Sequence, residues 1–159
     1  MIFLKIQWKK LLPAIALPLA VGGLSALITS DAMESFGNLR QPPLSPPAWL
    51  FPVVWSLLYI LMGIASYRVW IAVTTHEKRR EALIFYAAQL VFNFFWSIIF
   101  FNLGEYLFAF VWLVALWLLI WLTKQRFAKI DSVAAYLLVP YLLWVAFAGY
   151  LNLGIFILN

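Results

Sequence analysis

Few side chains in this sequence could do chemistry inside an apolar environment, and several of them recur at helical spacing. Gln89, Asn93 and Ser97 are four residues apart and Trp96 follows Asn93 by three, so on a helix all four project from one side. Ser56 and Ser66 in an earlier apolar run and Asn152 in the last one complete the polar set. Amides, hydroxyls and indole N–H groups exchange hydrogen bonds without titrating near neutral pH. They can hold a ligand by its polar edges, or join helices through bonds of roughly 0.6–2 kcal/mol, and spacing alone leaves both open.

The absent groups narrow the chemistry further. No Asp, Glu, Lys or His lies deep in an apolar run. Proton relays, ion-coupled carriers and voltage sensors place ionisable groups there because their work is done on charge, so a pump or ion-coupled transporter is not expected. The single histidine, His76, sits in a charged connection, which excludes a His-based metal centre and a buried axial haem ligand. With no cysteine there is no disulfide and no thiolate metal site. The serines have no embedded base to activate them, which argues against a nucleophilic triad. No metal and no resident cofactor is expected.

The elements that must carry these residues are membrane helices. At 66% hydrophobic and 11% charged residues, the chain has too little polar surface to coat a soluble globule. It reads as an all-α integral membrane protein, one domain over residues 1–159, forming a five-transmembrane-helix bundle with spans at 11–29, 50–71, 83–101, 106–122 and 133–158. The run Leu11 to Thr29 follows Lys5, Lys9 and Lys10 and could be a signal peptide. It exceeds the ~7–15-residue apolar core of such peptides and lacks a small-x-small cleavage site. A retained span of the ~20 residues needed to cross the bilayer fits better. Pro13 and Pro18 bend its start, and Pro140 lies in the last span.

Residues 31–48 form the one long loop. Its Pro42, Pro43, Pro46 and Pro47 fix φ and remove backbone donors, so it is a stiff connector rather than helix. It leads directly into the apolar run from Leu50, as a lid or pocket wall would. Alternating the loops between two sides places Lys5, Lys9, Lys10, Arg68, Lys78, Arg79, Arg80, Lys124, Arg126 and Lys129 together, with Arg40 alone opposite. The positive-inside rule then predicts a cytoplasmic N-terminus, with the proline-rich loop and the C-terminus outside. Lys78-Arg79-Arg80 is topogenic on this reading and compatible with lipid headgroups as partners; nucleic acid is not expected. Arg68 is expected to snorkel to the cytoplasmic interface.

The tryptophans divide by depth. Trp8, Trp49, Trp70 and Trp121 lie near span boundaries, where indoles anchor to the interface. Trp112 and Trp117 suit lipid-facing or packing roles. Trp55, Trp96 and Trp144 lie deeper, and an indole N–H in hydrocarbon needs an acceptor. Trp55, Trp96 and Asn152 all fall in the half nearest the proline-rich loop. If the bundle joins their faces, the result is an aromatic cavity with amide edges, suited to a flat apolar ligand.

Three ordered motifs carry a resemblance over nearly the whole chain. They are Pro42-x-x-x-Pro46-Pro47-x-Trp49 with Val54-Trp55-x-x-Leu58-Tyr59 and Met62-Gly63-x-x-Ser66-Tyr67-x-Val69-Trp70; then Gln89-Leu90-x-x-Asn93-x-x-Trp96-Ser97-x-x-Phe100-Phe101; and Pro140-Tyr141-Leu142-x-Trp144-x-x-Phe147-Ala148-x-x-Leu151-Asn152. In these the chain resembles the tryptophan-rich sensory protein and translocator protein family, also called the peripheral benzodiazepine receptor family. The resemblance implies a five-helix bundle, commonly a homodimer in a bacterial cell membrane, whose lidded pocket binds porphyrin-type molecules. Carried over by position, it implies a ligand site of Trp55, Asn93, Trp96, Ser97, Trp144 and Ala148, with Pro42 and Pro47 in the lid; Phe36, Tyr59, Gln89 and Asn152 join the candidate list. It further implies that Trp55 and Trp144 are redox participants if the protein promotes light- and oxygen-dependent breakdown of protoporphyrin IX.

Three departures from the family pattern bear on that expectation. Where relatives enter the lid with Trp-Tyr-x-x-Leu-x-Lys-Pro, this chain has Ser35-Phe36-Gly37-Asn38-Leu39-Arg40-Gln41-Pro42, its basic residue one place early. The proline that usually just precedes Val-Trp stands at Pro52. No Lys or Arg follows Tyr150, so the sterol pattern of the fifth helix is missing and cholesterol transport is not implied. Three functions stay open at this level: tetrapyrrole binding for sensing, sequestration or transfer; photo-oxidation of bound porphyrin; and a structural or partner-regulating bundle. Gly22-x-x-x-Ala26 permits close helix approach, either inside one bundle or at a dimer face.

Overall fold

The computed structural model describes residues 5–159; the first four residues of the charged N-terminal segment lie outside it. The described residues form α1 (Trp8–Phe36), α2 (Leu50–Ile71), α3 (His76–Ser97) running into a π-helical turn (Ile98–Asn102), α4 (Tyr106–Ala128), α5 (Ser132–Leu137) and α6 (Val139–Leu158). Five helical segments are long and apolar enough to cross a membrane, with α5 and α6 together making the fifth.

Helix boundaries extend beyond the apolar runs. The first helix continues through Asp31, Glu34 and Phe36 rather than ending at residue 29, so the loop begins at Gly37. At 29 residues it is about 43 Å long, against a hydrocarbon core of about 30 Å, so its polar last turns fit the interface and need no lipid-compatible side chains. The third helix likewise begins at His76, where Thr75 caps it by accepting from the Lys78 N–H at 3.2 Å. At its other end the i→i−4 ladder widens into the π turn instead of continuing to residue 101. In the fifth span Pro140 supplies no N–H, and the helix breaks at Leu138.

Contacts close the five spans into a ring in which the spatial order is first, second, fifth, fourth, third. At one end lie the basic connections; at the other lies the proline-rich loop. Gly63 lets α2 meet α1 backbone to backbone, since a Cβ there would come 2.5 Å from the Ile15 Cα and 2.8 Å from the Ala14 carbonyl oxygen. Gly22 serves the same interface: a Cβ would overlap the Tyr59 ring. Of the Gly22-x-x-x-Ala26 pattern, Gly22 is thus used within the bundle, while Ala26 is exposed.

At the basic end Arg68 does more than reach the interface. Its Nε donates to Asp131 Oδ2 at 2.7 Å, while Asp131 Oδ1 accepts from the Val133 N–H at 3.0 Å and caps α5. One carboxylate thus joins α2 to the fifth span and starts the helix. Asp131→Ala is expected to lower stability by about 1–2 kcal/mol, and Asp131→Asn by less because the cap acceptor survives. Thermal unfolding in detergent reads the difference. Arg79 closes α2 by donating to the carbonyls of Val69 and Ala72, and Arg126 pairs with Glu81 at 2.8 Å between α4 and α3.

α2 rests on α5 near the basic end, but its first half has almost no close backbone approach to α6. Side chains, not backbone packing, fill the space between those two helices under the loop.

Candidate functional site

The polar stripe of α3 is largely committed to hydrogen bonds between helices. Tyr59 donates to Asn93 Oδ1 at 3.0 Å, Asn93 Nδ2 donates to the Tyr141 hydroxyl at 2.7 Å, and that hydroxyl donates to Gln89 Oε1 at 2.6 Å. These bonds join α2, α3 and α6 through buried groups. Nearer the loop, Trp96 Nε1 donates to Asn152 Oδ1 at 3.1 Å and Asn152 Nδ2 to the Tyr106 carbonyl at 2.8 Å, adding α4. For Asn93, Trp96 and Asn152 the helix-joining role is the one seen. Ser97 is half-buried and outside both networks, and Ser56 is exposed.

Two donors are left over. Gln89 Nε2 and Trp144 Nε1 are buried without a partner, although burial of an unpaired N–H costs roughly 1–3 kcal/mol. Gln89 lies on the Tyr141 side of the network, and Trp144 is one turn of α6 beyond Tyr141. Trp144 belongs to an aromatic wall, which reaches Gln89 only through Tyr141. Trp55 stacks on Tyr59 at 5.7 Å and meets Tyr141 edge-on at 6.3 Å; Phe51 meets Trp144 edge-on at 5.9 Å; Trp144 packs on Phe147 at 5.5 Å. Phe51, Trp55, Trp144 and Phe147 are each partly exposed, so the cleft between α2 and α6 reaches the bundle surface. Its rings now touch across it, and a planar guest would have to part them.

The loop is latched to α6. Tyr150 donates to the Pro43 carbonyl at 2.6 Å, and Arg40 and Asn159 exchange two bonds of 3.1 and 3.0 Å. Pro42 sits on Gly154, where a Cβ would come within 2.6 Å. Leu44 adopts φ of 69°, a left-handed turn position unusual for a non-glycine residue. The chain thus leaves α1, crosses the end of α6 and returns to start α2, passing over the end of the cleft.

The candidate residues divide between two clusters. Trp55, Tyr59, Trp144 and Ala148 belong to the central core with Tyr141. Phe36 closes α1 rather than lying in the loop, and packs on Phe100 and Phe101 at 5.7 and 5.4 Å in a second cluster with Ile155. Trp96 touches both clusters. Pro42 is buried against α6, while Pro47 is exposed. Residues absent from the candidate list are Phe51, Tyr141, Phe147, Tyr150 and Gly154. Helical spacing pointed to Tyr141, because Tyr141, Trp144, Ala148 and Asn152 share one face; nothing local marked the two latch positions.

Trp112 and Trp117 are packing residues, donating to the Phe92 and Leu142 carbonyls at 2.8 and 3.1 Å. Trp8, Trp49, Trp70 and Trp121 are all exposed, as interfacial anchors are.

Comparison with known proteins agrees with this architecture. The model of the TspO/MBR family matches residues 14–158. The chain is 42% identical over 149 residues to the tryptophan-rich protein TspO of Chlorobaculum tepidum, covering 91% of this chain and 92% of the relative. It is 36% identical to the tryptophan-rich sensory protein of Cereibacter sphaeroides (98% and 95% covered) and 35% identical to the translocator protein of Bos taurus (86% and 82% covered). The five-span bundle, the latched proline-rich loop and these matches along the chain establish it as an integral membrane protein belonging to the TspO/MBR family.

Proposed function

We propose that this protein binds tetrapyrroles such as protoporphyrin IX in the cleft between α2 and α6, and that it acts in sensing, sequestering or transferring them. On this reading it is a homodimer of a bacterial cell membrane, with the basic end in the cytoplasm and the loop outside. A macrocycle with apolar faces and polar edges suits rings that can part and two N–H donors that lack acceptors. The observation that carries the reading is Trp144 Nε1, buried without a partner in the aromatic wall, with Gln89 Nε2 also unpaired behind Tyr141.

Titration of the purified protein with protoporphyrin IX, followed by tryptophan fluorescence, tests it. Saturable quenching at micromolar porphyrin is expected, and its absence would defeat the proposal. Trp144→Phe keeps a ring and removes one donor, and is expected to weaken binding by about tenfold. Tyr150→Phe releases one latch, and is expected to raise association and dissociation rates together by about fivefold, the equivalent of one ~1 kcal/mol hydrogen bond. Stopped-flow quenching reads both rates.

The contiguous oxidisable rings Trp55, Tyr59 and Tyr141 favour a second reading, light- and oxygen-dependent breakdown of the bound porphyrin. Excited porphyrin and oxygen would supply the reactivity, and the protein would hold the macrocycle beside Trp55 and Trp144 and keep water away. Replacing both tryptophans with Phe, at saturating porphyrin, should remove the photoproduct. Unchanged product would rule out the indoles.

A further inference from the structure

The tip of the proline-rich loop carries a side chain that neither its own backbone nor the bundle accounts for. Leu44 stands at a φ of 69°, a left-handed position that glycine or asparagine usually takes, and it is 85% exposed. A leucine there is strained and gains almost no packing on this chain. Depth decides what else it can touch. The Tyr150 latch holds Pro43, and with it Leu44, beside α6 more than two turns before that helix ends at Leu158. Beyond this level α6 still turns Phe156, Ile157 and Leu158 outward, all exposed and all apolar, so the loop tip lies level with lipid-facing side chains rather than above them. The other end of the loop agrees. Exposed Trp49 heads a stripe of exposed Val53 and Leu57, four residues apart, down the outside of α2. No charged residue lies between Arg40 and Arg68.

An irregular segment can lie against lipid only where its backbone polar groups are satisfied. From Pro42 to Pro47 the four prolines leave just two N–H groups, those of Leu44 and Ser45. The Pro42 carbonyl accepts from Ser45 Oγ at 2.7 Å, that of Pro43 from the Tyr150 hydroxyl at 2.6 Å, and that of Pro47 from the Leu50 N–H at 3.0 Å. The prolines that stiffen the loop thus also suit it to the interface, where water and ester carbonyls serve the two remaining donors.

We propose that the loop tip is seated in the interfacial zone of the adjoining leaflet, with Leu44 reaching the acyl chains and Trp49 beside the headgroups. The partner of this surface is lipid, and the loop is a strap held from two sides, by α6 through its latch and by the bilayer through Leu44. The seat does not depend on the tetrapyrrole reading and is present with the cleft empty.

Because the chain has no cysteine, Leu44→Cys offers a single site for an environment-sensitive nitrobenzoxadiazole label. The full chain is placed in phosphatidylcholine nanodiscs, both faces open to water, and unchanged thermal unfolding checks that the fold is kept. Phosphatidylcholine bearing a doxyl group near the head of its acyl chain is expected to quench this label about threefold more than aqueous iodide does. The same label at Asn38→Cys, in the exposed turn after α1, should show the reverse order. A second variant tests the anchor itself. With the label at exposed Ala48→Cys, adding Leu44→Asn, whose side chain suits the same left-handed backbone, should lower quenching by the doxyl lipid about twofold. A Leu44 label quenched like the Asn38 label, or an Ala48 label indifferent to Leu44→Asn, would overturn the proposal. So would protection of the Leu44 label from iodide only in nanodiscs that hold two copies, since a second copy would then be what covers the loop.

Discussion

Gly63→Val is expected to destabilise the bundle by about 3 kcal/mol or more, lowering the midpoint of thermal unfolding in detergent by roughly 6–12 °C. At this position the obstacle is backbone. A Cβ would stand 2.5 Å from the Ile15 Cα and 2.8 Å from the Ala14 carbonyl oxygen, and neither can rotate away as a side chain could. α1 and α2 would have to separate, losing the van der Waals packing that holds helices together in lipid. Gly22→Ala makes an informative companion, because its obstacle is the Tyr59 ring. There the ring can move, and the expected result is a smaller loss of stability with a weakened Tyr59–Asn93 bond. Equal effects at both positions would contradict the distinction between backbone and side-chain contact.

Tyr141→Phe should produce the second-largest effect, a loss of about 2–4 kcal/mol. The hydroxyl both accepts from Asn93 and donates to Gln89, at 2.7 and 2.6 Å, and its residue is 1% exposed. Removing it orphans two buried amide atoms in a place water cannot reach. Because Gln89 Nε2 already lacks a partner, the substitution leaves the whole Gln89 amide unbonded. Tyr59→Phe removes only the donor to Asn93 Oδ1 and should cost about half as much. Chemical unfolding in detergent separates the two, and a Tyr141→Phe protein as stable as the parent would show that the network is not a structural hub.

Much of this fold can be read from the order of residues, since hydrophobic runs and basic connections are written locally. The five spans follow from run length, and the single long loop from its prolines. What local reading misplaces are the boundaries. The α1 turns from Asp31 to Phe36 carry Asp31, Glu34 and Ser35, yet the backbone stays helical there, and hydropathy marks where lipid ends rather than where hydrogen bonding does. The π turn and the break at Leu138 depend on neighbouring helices.

The site was legible to a different depth. Trp55, Asn93, Trp96 and Trp144 stand out because indoles and amides are uncommon in lipid. Their partners do not: Tyr141 looks like one more aromatic until Asn93 and Gln89 meet at its hydroxyl. The latches of Tyr150 to Pro43, Gly154 to Pro42 and Asn159 to Arg40 join residues more than a hundred positions apart. No spacing rule reaches that far. Phe36 illustrates the same limit, since its packing of a helix end on the π turn is set by Phe100 and Phe101, far away in the chain.

The central claim is that the cleft between α2 and α6, under the latched loop, is the tetrapyrrole site. Photolabelling with a diazirine-bearing protoporphyrin, followed by peptide mapping, tests it most directly. The label is predicted on the segments 51–59 and 141–148, competed by free protoporphyrin IX and reduced in Trp144→Phe. Competed label instead in the groove between α1 and α3 at Leu17 and Leu90, or on the α4–α6 surface around Phe110 and Val114, would place the ligand elsewhere and contradict the account.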